Sequence, residues 1–300
     1  MTSDTAPHQP SADASGAARK AAASASRNPA PYDNATPDLT ERIRPSRGER
    51  IAESAATFSP LVLLVLWEIV CRLGWLDVRF FPPPSAIAGT FLQDIGNGEI
   101  FTHVKATLWR VVVGIAMGLL PGVVLGLWLG LFKWPRLVLT PIFSTLYTVP
   151  KVAIFPLLLL IFGLGDASKF VLVAIGMFFL VFFSTLSGVL QIPGIYFDVA
   201  RNAGATLGQT MRDVALPASL PSIFTGIKLG VGHAYVLIAA SEFVGAKSGV
   251  GFYIWTSWQL FSISRMFVGI VLISLMGYLS MLLVEQIQQR LVPYAQRDDR

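Results

Sequence analysis

The chain has 300 residues, of which 53% are hydrophobic and only 14% are charged, and its formal net charge is +5. Because a soluble domain carries about a quarter charged residues, this composition excludes an ordinary soluble protein and favours a polytopic membrane protein. The single cysteine, Cys71, excludes a disulfide framework and a cysteine-based metal cluster.

Residues 1–50 are rich in Ala, Ser, Pro and Thr and contain almost no large apolar side chains. Such a segment buries too little surface to offset the entropy lost on ordering, so we predict a disordered cytoplasmic tail. Residues 51–290 are predicted to form the transmembrane domain, and residues 291–300 a second cytoplasmic tail. Basic residues before the first span favour a cytoplasmic N-terminus: Arg42, Arg44, Arg47 and Arg50.

Apolar stretches predict an all-α integral membrane protein with about six transmembrane helices. They lie at about residues 58–76, 104–131, 137–162, 170–190, 222–244 and 266–287. The first contains Glu68 and Arg72, one turn apart in the order that favours a helical ion pair. Between the first two spans, Ser85 is predicted to cap a short surface helix that extends to Ile95.

The second span carries a glycine at every fourth position. Small residues at this spacing let helix backbones approach closely in lipid, so we predict a tightly packed scaffold helix. The stripe drifts around the helix because four residues slightly overshoot one turn. The helix-packing residues are Gly114, Gly118, Gly122, Gly126 and Gly130.

Three prolines are predicted to break the third span: Pro141, Pro150 and Pro156. Broken helices at membrane depth are tolerated where they line a cavity or are buried in protein. Ionisable residues inside spans are functional candidates by default, and the tentative substrate-pathway residues are Lys151, His233 and Glu242.

Each pathway candidate has an alternative role. The Lys151 ammonium could snorkel to an interface instead, although a cation on a broken helix would suit a sulfonate or another small anion. His233 could be a satisfied interior polar residue. Glu242 could gate the path, meet a binding protein or make a structural hydrogen bond.

A polar connection at residues 192–221 separates the fourth and fifth spans. Its charged side chains are too dense to face lipid, so we expect it to lie in water. Residues 198–206 can form a short helix with Asp198 near the positive end of its dipole. Gly204 would leave one helix face bare for close approach of another protein. An ordinary amphipathic interfacial helix is the alternative interpretation.

Within this connection, Asp198-Val199-Ala200 is followed after three residues by Gly204, and after nine more by Val214-Ala215-Leu216-Pro217. This spacing resembles the E-A-A, Gly and Leu-Pro pattern of bacterial ABC importer permeases, with mild Glu→Asp and Ala→Val departures. The resemblance implies a type I (MetI-like) permease fold whose coupling helix, between spans 4 and 5, docks in the cytoplasmic ATPase subunit. It assigns ATPase coupling to Asp198, Ala200, Arg201, Gly204, Leu216 and Pro217.

Other runs resemble the nitrate/sulfonate/taurine branch of these permeases, and the resemblance covers about residues 60–290. The runs are residues 149–165, Phe81-Pro82-Pro83-Pro84-Ser85, and Ser241-Glu242 followed by Gly249-Val250-Gly251. The branch also includes bicarbonate, thiamine-precursor and riboflavin importers, so the solute stays open. An organic or inorganic anion, such as an aliphatic sulfonate, taurine or nitrate, is the leading expectation.

The resemblance further implies two permease copies, expected to form a homodimer, two ABC ATPase subunits and an extracytoplasmic solute-binding protein. It places the chain in the bacterial cytoplasmic (inner) membrane as a multi-pass protein, with both termini in the cytoplasm. The chain has no G-x-x-x-x-G-K-[ST] loop and no metal-ligand spacing. We therefore expect no enzyme activity and no bound cofactor or metal in this chain, with ATP and Mg²⁺ used by the partner ATPase.

Two other functions compete with a permease subunit. An ion-coupled secondary transporter would act without an ATPase, and such folds often contain inverted repeats with paired broken helices. No convincing internal repeat is evident, and the polar connection at residues 192–221 would then have no role. A membrane enzyme acting on lipid would need clustered acidic or histidine residues at an interface, and none are apparent.

Overall fold

A computed structural model describes the backbone of residues 47–293 and the side chains of residues 58–293. Predictions about residues 1–46 and 294–300 lie outside the described residues. The described part of the chain contains helices and no strands. The helices are α1 Arg47–Arg72, α2 Pro84–Gly96, α3 Glu99–Leu131, α4 Lys133–Thr148, α5 Lys151–Phe162, α6 Asp166–Leu190, α7 Gly194–Asn202, α8 Leu207–Gln209, α9 Leu216–Glu242, α10 Val250–Gln259 and α11 Ile263–Leu291.

Four helical stretches among the described residues are long and apolar enough to cross a membrane: α3, α6, Leu207–Glu242 and α11. The pair α4 and α5 makes a fifth span if its two bent halves are counted together. The predicted first span lies in α1, whose side chains are described only from Phe58 onward. The all-α membrane architecture is therefore confirmed, with four to five spans in the described region where the sequence predicted about six.

The described residues divide into two units, with the boundary between Leu61 and Val62. In the second unit, α3 and α6 run parallel and pack along most of their length. Gly114 faces Val173 near one end of the contact, and Gly130 faces Val189 near the other. Every glycine of the stripe meets α6, because a step of four residues on one helix is matched by about four on the other. The stripe therefore follows a single neighbour instead of drifting to a second one.

Helix α9 packs antiparallel against α6, on a face next to the one that meets α3. Gly176 of α6 faces Leu237, whereas Gly188, three turns later, faces Ser222. The largest buried cluster lies among α3, α5, α6 and α9. Its buried members are Val111, Phe155, Leu158, Leu172, Val173, Val231, Ala234, Tyr235, Leu237 and Ile238.

The third predicted span is broken once, between α4 and α5, where the chain bends by 90°. The break lies at Val149 and Pro150, because proline at this position cannot continue the backbone hydrogen bonds of α4. The expected breaks at Pro141 and Pro156 are absent, and both prolines lie inside helices. Membrane helices tolerate an internal proline when neighbouring groups satisfy the freed carbonyl.

The fifth span begins earlier than the sequence predicted, at Leu207, and continues through a π-helical turn, Thr210–Ala215, into α9. Thr206 and Gln209 form a capping box, in which the Gln209 amide oxygen accepts from the Thr206 backbone N–H at 2.7 Å. The predicted cap of α2 by Ser85 is wrong. The Ser85 hydroxyl donates instead to Glu68 of α1 at 2.8 Å, and Glu68 also pairs with Arg72 at 2.7 Å.

The α3–α6 contact predicts that Gly118→Ala destabilises the protein. A Cβ at Gly118 would lie 2.3 Å from the Ala174 carbonyl oxygen, and overpacking of this kind costs about 1–3 kcal/mol. Thermal unfolding of the detergent-purified protein measures the change. Gly232→Ala on α9 is the matched control, because its nearest neighbour is the Met281 sulfur at 3.9 Å; equal midpoints for both variants would contradict the packing argument.

Candidate functional site

The break between α4 and α5 opens a cavity of about 400 Å³ that reaches α6 and α9. Lys151, the first residue of α5, lies on one wall, and His233 of α9 lies on another. Two of the three tentative pathway residues therefore line one cavity. Glu242, the third, is not among its lining residues.

The ammonium of Lys151 has neutral partners only. It donates to the Tyr147 carbonyl oxygen and lies 4.2 Å from the centre of the Tyr147 ring and 5.2 Å from that of Phe179. No described carboxylate forms an ion pair with it. Carbonyl and cation–π contacts stabilise the charge without neutralising it. The cavity wall thus keeps a net positive charge that an anion could offset.

Glu242, at the end of α9, is fully buried in a different place. Its carboxylate accepts from Arg110 Nη1 at 2.7 Å, from the Thr107 hydroxyl at 2.9 Å and from the Gly251 backbone N–H at 2.8 Å. A Cβ at Gly249 would lie 2.3 Å from this carboxyl group. The backbone around Gly249 therefore closes over Glu242 and leaves no space for a solute beside it.

Arg110 of α3 joins three parts of the chain at this buried carboxylate. Its Nε donates to Asp166 at the start of α6 at 2.8 Å, and its Nη1 donates to the Ser248 carbonyl oxygen at 2.6 Å. Arg110 is buried, since only 5% of the residue remains exposed. Ionised hydrogen bonds of this kind are about twice as strong as neutral ones, so Arg110 ties α3, α6 and the α9–α10 connection together.

The first backbone N–H groups of α10 are also held by side chains. Gly249 N donates to His103 Nδ1 at 3.1 Å, and Val250 N donates to Thr107 Oγ1 at 2.8 Å. With the Glu242 bond to Gly251, three consecutive N–H groups find acceptors on α3 and α9. Helix starts leave such groups without intrahelical partners, so these contacts with α3 and α9 stabilise the start of α10.

A second buried polar cluster fastens α2, α10 and α11 together. Asp94 of α2 accepts from the Tyr253 hydroxyl at 2.6 Å and from Arg265 Nη2 at 2.9 Å. Burial, and then the bond to Asp94, raises the pKa of the Tyr253 hydroxyl. Tyr253 therefore remains a protonated donor to Asp94.

Helix α7 is the short helix of the polar connection, and it starts and ends four residues before the predicted one. Asp198 lies in its middle rather than near its positive end, and pairs weakly with Arg201 at 3.6 Å. Gly204 lies beyond the helix with φ +73°, where the Ala205 N–H reaches back to the Ala200 carbonyl. The expected bare helix face at Gly204 is therefore wrong: the glycine ends α7, because a left-handed conformation favours glycine.

The two faces of α7 differ in their surroundings. Phe197 and Arg201, one turn apart, face a cavity between α7 and the α3–α4 junction. Ile195 and Val199 lie on the opposite face, at 63% and 60% exposure.

The remaining coupling candidates lie close to the protein body. Ala200 and Pro217 are half-buried, and Leu216 packs against the buried cluster of Leu127, Val189 and Ala215. The outward apolar surface of α7 is therefore provided by Ile195 and Val199, to which the resemblance assigned no coupling role.

Sequence patterns do not identify most of these polar residues, which are the buried Asp94, Thr107, Arg110, Lys169 and Tyr253 and the half-buried Asp166 and Arg265. One signal was available, since Arg110 is an ionisable residue inside a predicted span. Its partners lie 56 and 132 residues away, and no local pattern connects them. Among the described residues, no group of three or more His, Cys, Asp or Glu side chains could hold a metal ion.

Comparison with known sequences gives one consistent result. A profile of the family described as "Binding-protein-dependent transport system inner membrane component" matches residues 122–293. The chain is 32% identical over 253 residues to SsuC of Bacillus subtilis (strain 168), described as an aliphatic sulfonates transport permease, covering 84% of this chain and 91% of that protein.

Two further relatives carry other solute names. The taurine transport system permease protein TauC of Escherichia coli (strain K12) is 30% identical, covering 78% of this chain and 86% of its own length. The nitrate import permease protein NrtB of Leptolyngbya laminosa is 30% identical, covering 83% of this chain and 92% of its own length.

Among solved structures, an inward-facing MetNI methionine ABC transporter aligns with a TM-score of 0.55 and 22% identity. The alignment covers 62% of this chain and 92% of that chain. This likeness confirms the MetI-like fold.

The buried pair of Arg110 and Glu242 predicts that removing one partner costs more stability than removing the other. Arg110→Met leaves Glu242 charged and buried without its cation, and breaking such a pair costs about 3–5 kcal/mol. Glu242→Met costs less, because Arg110 keeps its bond to Asp166 at 2.8 Å. Thermal unfolding of the purified protein measures both.

The double variant, Arg110→Met with Glu242→Met, should be more stable than Arg110→Met alone, since no buried charge is then left uncompensated. Arg72→Met is the matched control, because its pair with Glu68 is exposed and costs about 1 kcal/mol or less to remove. A double variant less stable than Arg110→Met would contradict the assigned pairing.

Proposed function

The chain belongs to the family of binding-protein-dependent transport system inner membrane components, and from that premise we propose that it moves a small oxoanion along a path past Lys151. As a member of this family it is a multi-pass permease subunit of an ABC importer and not an enzyme. Its function depends on a separate ATPase and a solute-binding protein.

The observation that carries the proposed substrate class is the Lys151 cation beside the α4–α5 break. A lysine at the centre of a membrane costs about 2.5–3.5 kcal/mol on insertion scales, and neutral partners offset only part of that cost. An anion in the adjacent cavity of about 400 Å³ supplies the missing opposite charge. The names of three relatives refer to sulfonates, taurine and nitrate, all of which carry anionic oxygens, and this supports the same class.

His233 is the second pathway residue in this proposal. It lines the same cavity from α9, so a solute oxygen between the two helices would meet an ammonium donor on one side and an imidazole on the other. Glu242 takes a structural role instead. Its three partners and full burial support a role in which Glu242 holds the α9–α10 connection against α3.

Coupling to the ATPase is proposed for α7. The outward face with Ile195 and Val199 inserts into the ATPase subunit, and Asp198 beside it supplies a polar contact at the rim. Gly204 sets the length of α7 by ending it, whereas Leu216 anchors the following helix to the protein body. Ala200 and Arg201 contribute from the inner side of α7, and Pro217 contributes from the start of α9.

The proposed assembly contains two copies of this chain, two ATPase subunits and one solute-binding protein. Identical copies would be related by a two-fold axis. ATP and Mg²⁺ are used by the ATPase subunits, which bind on the side of α7. That side is the cytoplasm in the proposed orientation, and both termini lie there, in the inner membrane of a bacterium.

The charge at Lys151 predicts that Lys151→Met lowers uptake at least tenfold, because one lost charge-assisted contact of 1.5–3 kcal/mol corresponds to about that factor. Lys151→Arg should retain a larger share. Uptake of taurine, ethanesulfonate and nitrate is measured in vesicles that contain the complex and its binding protein.

Lys228→Met is the matched control, because Lys228, in α9, also lies within a span but has a carboxylate partner, Glu285, at 3.9 Å. Complex assembly should be normal in all three variants. Equal uptake by Lys151→Met and the wild type would remove Lys151 from the path and the anion proposal with it.

The exposed face of α7 predicts that Val199→Arg abolishes co-purification with the ATPase subunit. Val199 is 60% exposed, so the substitution should leave folding intact while placing an unpaired charge in an apolar contact. Leu260→Arg is the control, because Leu260 is 75% exposed and lies at the turn between α10 and α11. Normal co-purification and stimulated ATPase activity with Val199→Arg would rule out this face as the docking surface.

A further inference from the structure

A cavity of about 440 Å³ lies where α3 ends, α4 begins and α7 crosses beside them. Its charged lining residues are all basic: Lys133, Arg136 and Arg201. Its other walls include Leu131 and Phe197. A positively charged pocket with apolar walls is suited to a ligand that is anionic at one end and apolar at the other.

The positive charges of this basic cavity are only partly compensated by the described residues. Arg136 Nη1 donates to the Gly130 carbonyl oxygen at 2.9 Å, a neutral acceptor. Arg201 has Asp198 at 3.6 Å, but both side chains are largely exposed and such pairs contribute little. Lys133 forms no ion pair with any described carboxylate. The cavity therefore holds a net positive charge that favours an anion.

The neighbouring part of α4 indicates the depth of the cavity in the membrane. Trp134, next to Lys133, is 79% exposed, and the apolar Leu137 and Val138 that follow are also exposed. Exposed tryptophans mark the boundary between hydrocarbon and headgroups, and apolar side chains beyond them face the acyl chains. The basic cavity thus opens at the level of the lipid phosphates.

We propose that the basic cavity binds the phosphate group of an anionic phospholipid. The phosphate lies among Lys133, Arg136 and Arg201, and an acyl chain continues along the exposed apolar face of α4. Clusters of basic residues at a membrane surface attract anionic lipids through the same electrostatics. Because Arg201 belongs to α7, the bound lipid links α7 to the start of α4.

The two faces of α7 favour a lipid over an acidic segment of a protein partner at this site. Phe197 and Arg201 face the basic cavity, while Ile195 and Val199 lie on the opposite face of the same helix. A partner that covers the outer face does not reach the inner one. The consequence for ATPase coupling rests on the proposed function, whereas lipid binding itself does not.

The first test measures the lipids retained by the purified permease. Protein extracted from membranes that contain phosphatidylglycerol and phosphatidylethanolamine is washed in detergent, and its lipids are quantified by mass spectrometry. We expect enrichment of phosphatidylglycerol over the starting membrane, and a loss of that enrichment by about fivefold or more in K133Q/R136Q, since each basic residue near a surface contributes a factor of about five.

K105Q/K247Q is the matched control, because it removes two exposed lysines that lie outside the basic cavity and should retain the lipid. Glutamine at position 136 can still donate to the Gly130 carbonyl, and the single variant K133Q leaves that bond untouched. Equal lipid retention by wild type, K133Q/R136Q and K105Q/K247Q would overturn the proposal.

The second test separates a lipid from other anions. The complex is reconstituted into nanodiscs of phosphatidylcholine, with or without phosphatidylglycerol, and with or without millimolar inorganic phosphate. Stimulation of ATPase activity by phosphatidylglycerol in wild type and its loss in K133Q/R136Q support the proposal. Equal stimulation by inorganic phosphate would assign the cavity to a free anion and overturn the lipid.

A protein partner at the basic cavity would give a different result in these experiments. If K133Q/R136Q loses the ATPase subunit during purification in detergent while it keeps phosphatidylglycerol, the basic cavity belongs to the ATPase interface and the proposal fails. Wild-type protein that retains phosphatidylglycerol but gives no ATPase activity with its partner would count against the proposed function and leave the lipid site standing.

Discussion

The close contact between α3 and α6 determines where the other parts of the structure lie. Five glycines bring the two backbones together in a parallel register, so features at the two ends of α3 meet matching ends of α6. One turn before Gly114, Arg110 reaches Asp166 at the first residue of α6. At the other end, Gly130 faces Val189 and borders the basic cavity under α7. In lipid, where apolar surface gives no drive for association, such shape matching is the main source of packing energy.

Buried charge is arranged in two different ways along this scaffold. At the α9–α10 connection, Arg110 and Glu242 neutralise each other, and they make further hydrogen bonds to Thr107, Asp166, Ser248 and the Gly251 backbone. At the α4–α5 break, Lys151 keeps its charge with neutral partners only. The first arrangement holds a structure together. The second leaves a positive charge that a transported anion can neutralise while it passes.

The sequence predicts the parts of this structure that depend on local patterns. Apolar length locates the spans, one of the three predicted proline breaks occurs, at Pro150, and the spacing of Gly204 and Pro217 identifies the polar connection. It fails where a residue's role depends on a distant partner. For Glu242 the sequence leaves a pathway role and a structural hydrogen bond both open, because its environment is set by Thr107 and Arg110, 135 and 132 residues earlier. The prediction of a bare helix face at Gly204 was wrong for another reason. A glycine can allow close approach of another chain or adopt a left-handed turn, and only its backbone angle shows which of the two occurs.

The same distinction applies to α7, where a motif locates the helix but not its faces. The resemblance assigns coupling to Asp198, Ala200 and Arg201 together, although consecutive residues on a helix point about 100° apart. The structure separates them: Arg201 shares the inner face with Phe197, and the outer face presents Ile195 and Val199. If the outer face meets the ATPase and the inner face meets a lipid phosphate, any rotation of α7 exchanges contact on one side for contact on the other. The energy of a single short helix would then depend on both the ATPase and the membrane surface, without any residue that touches both.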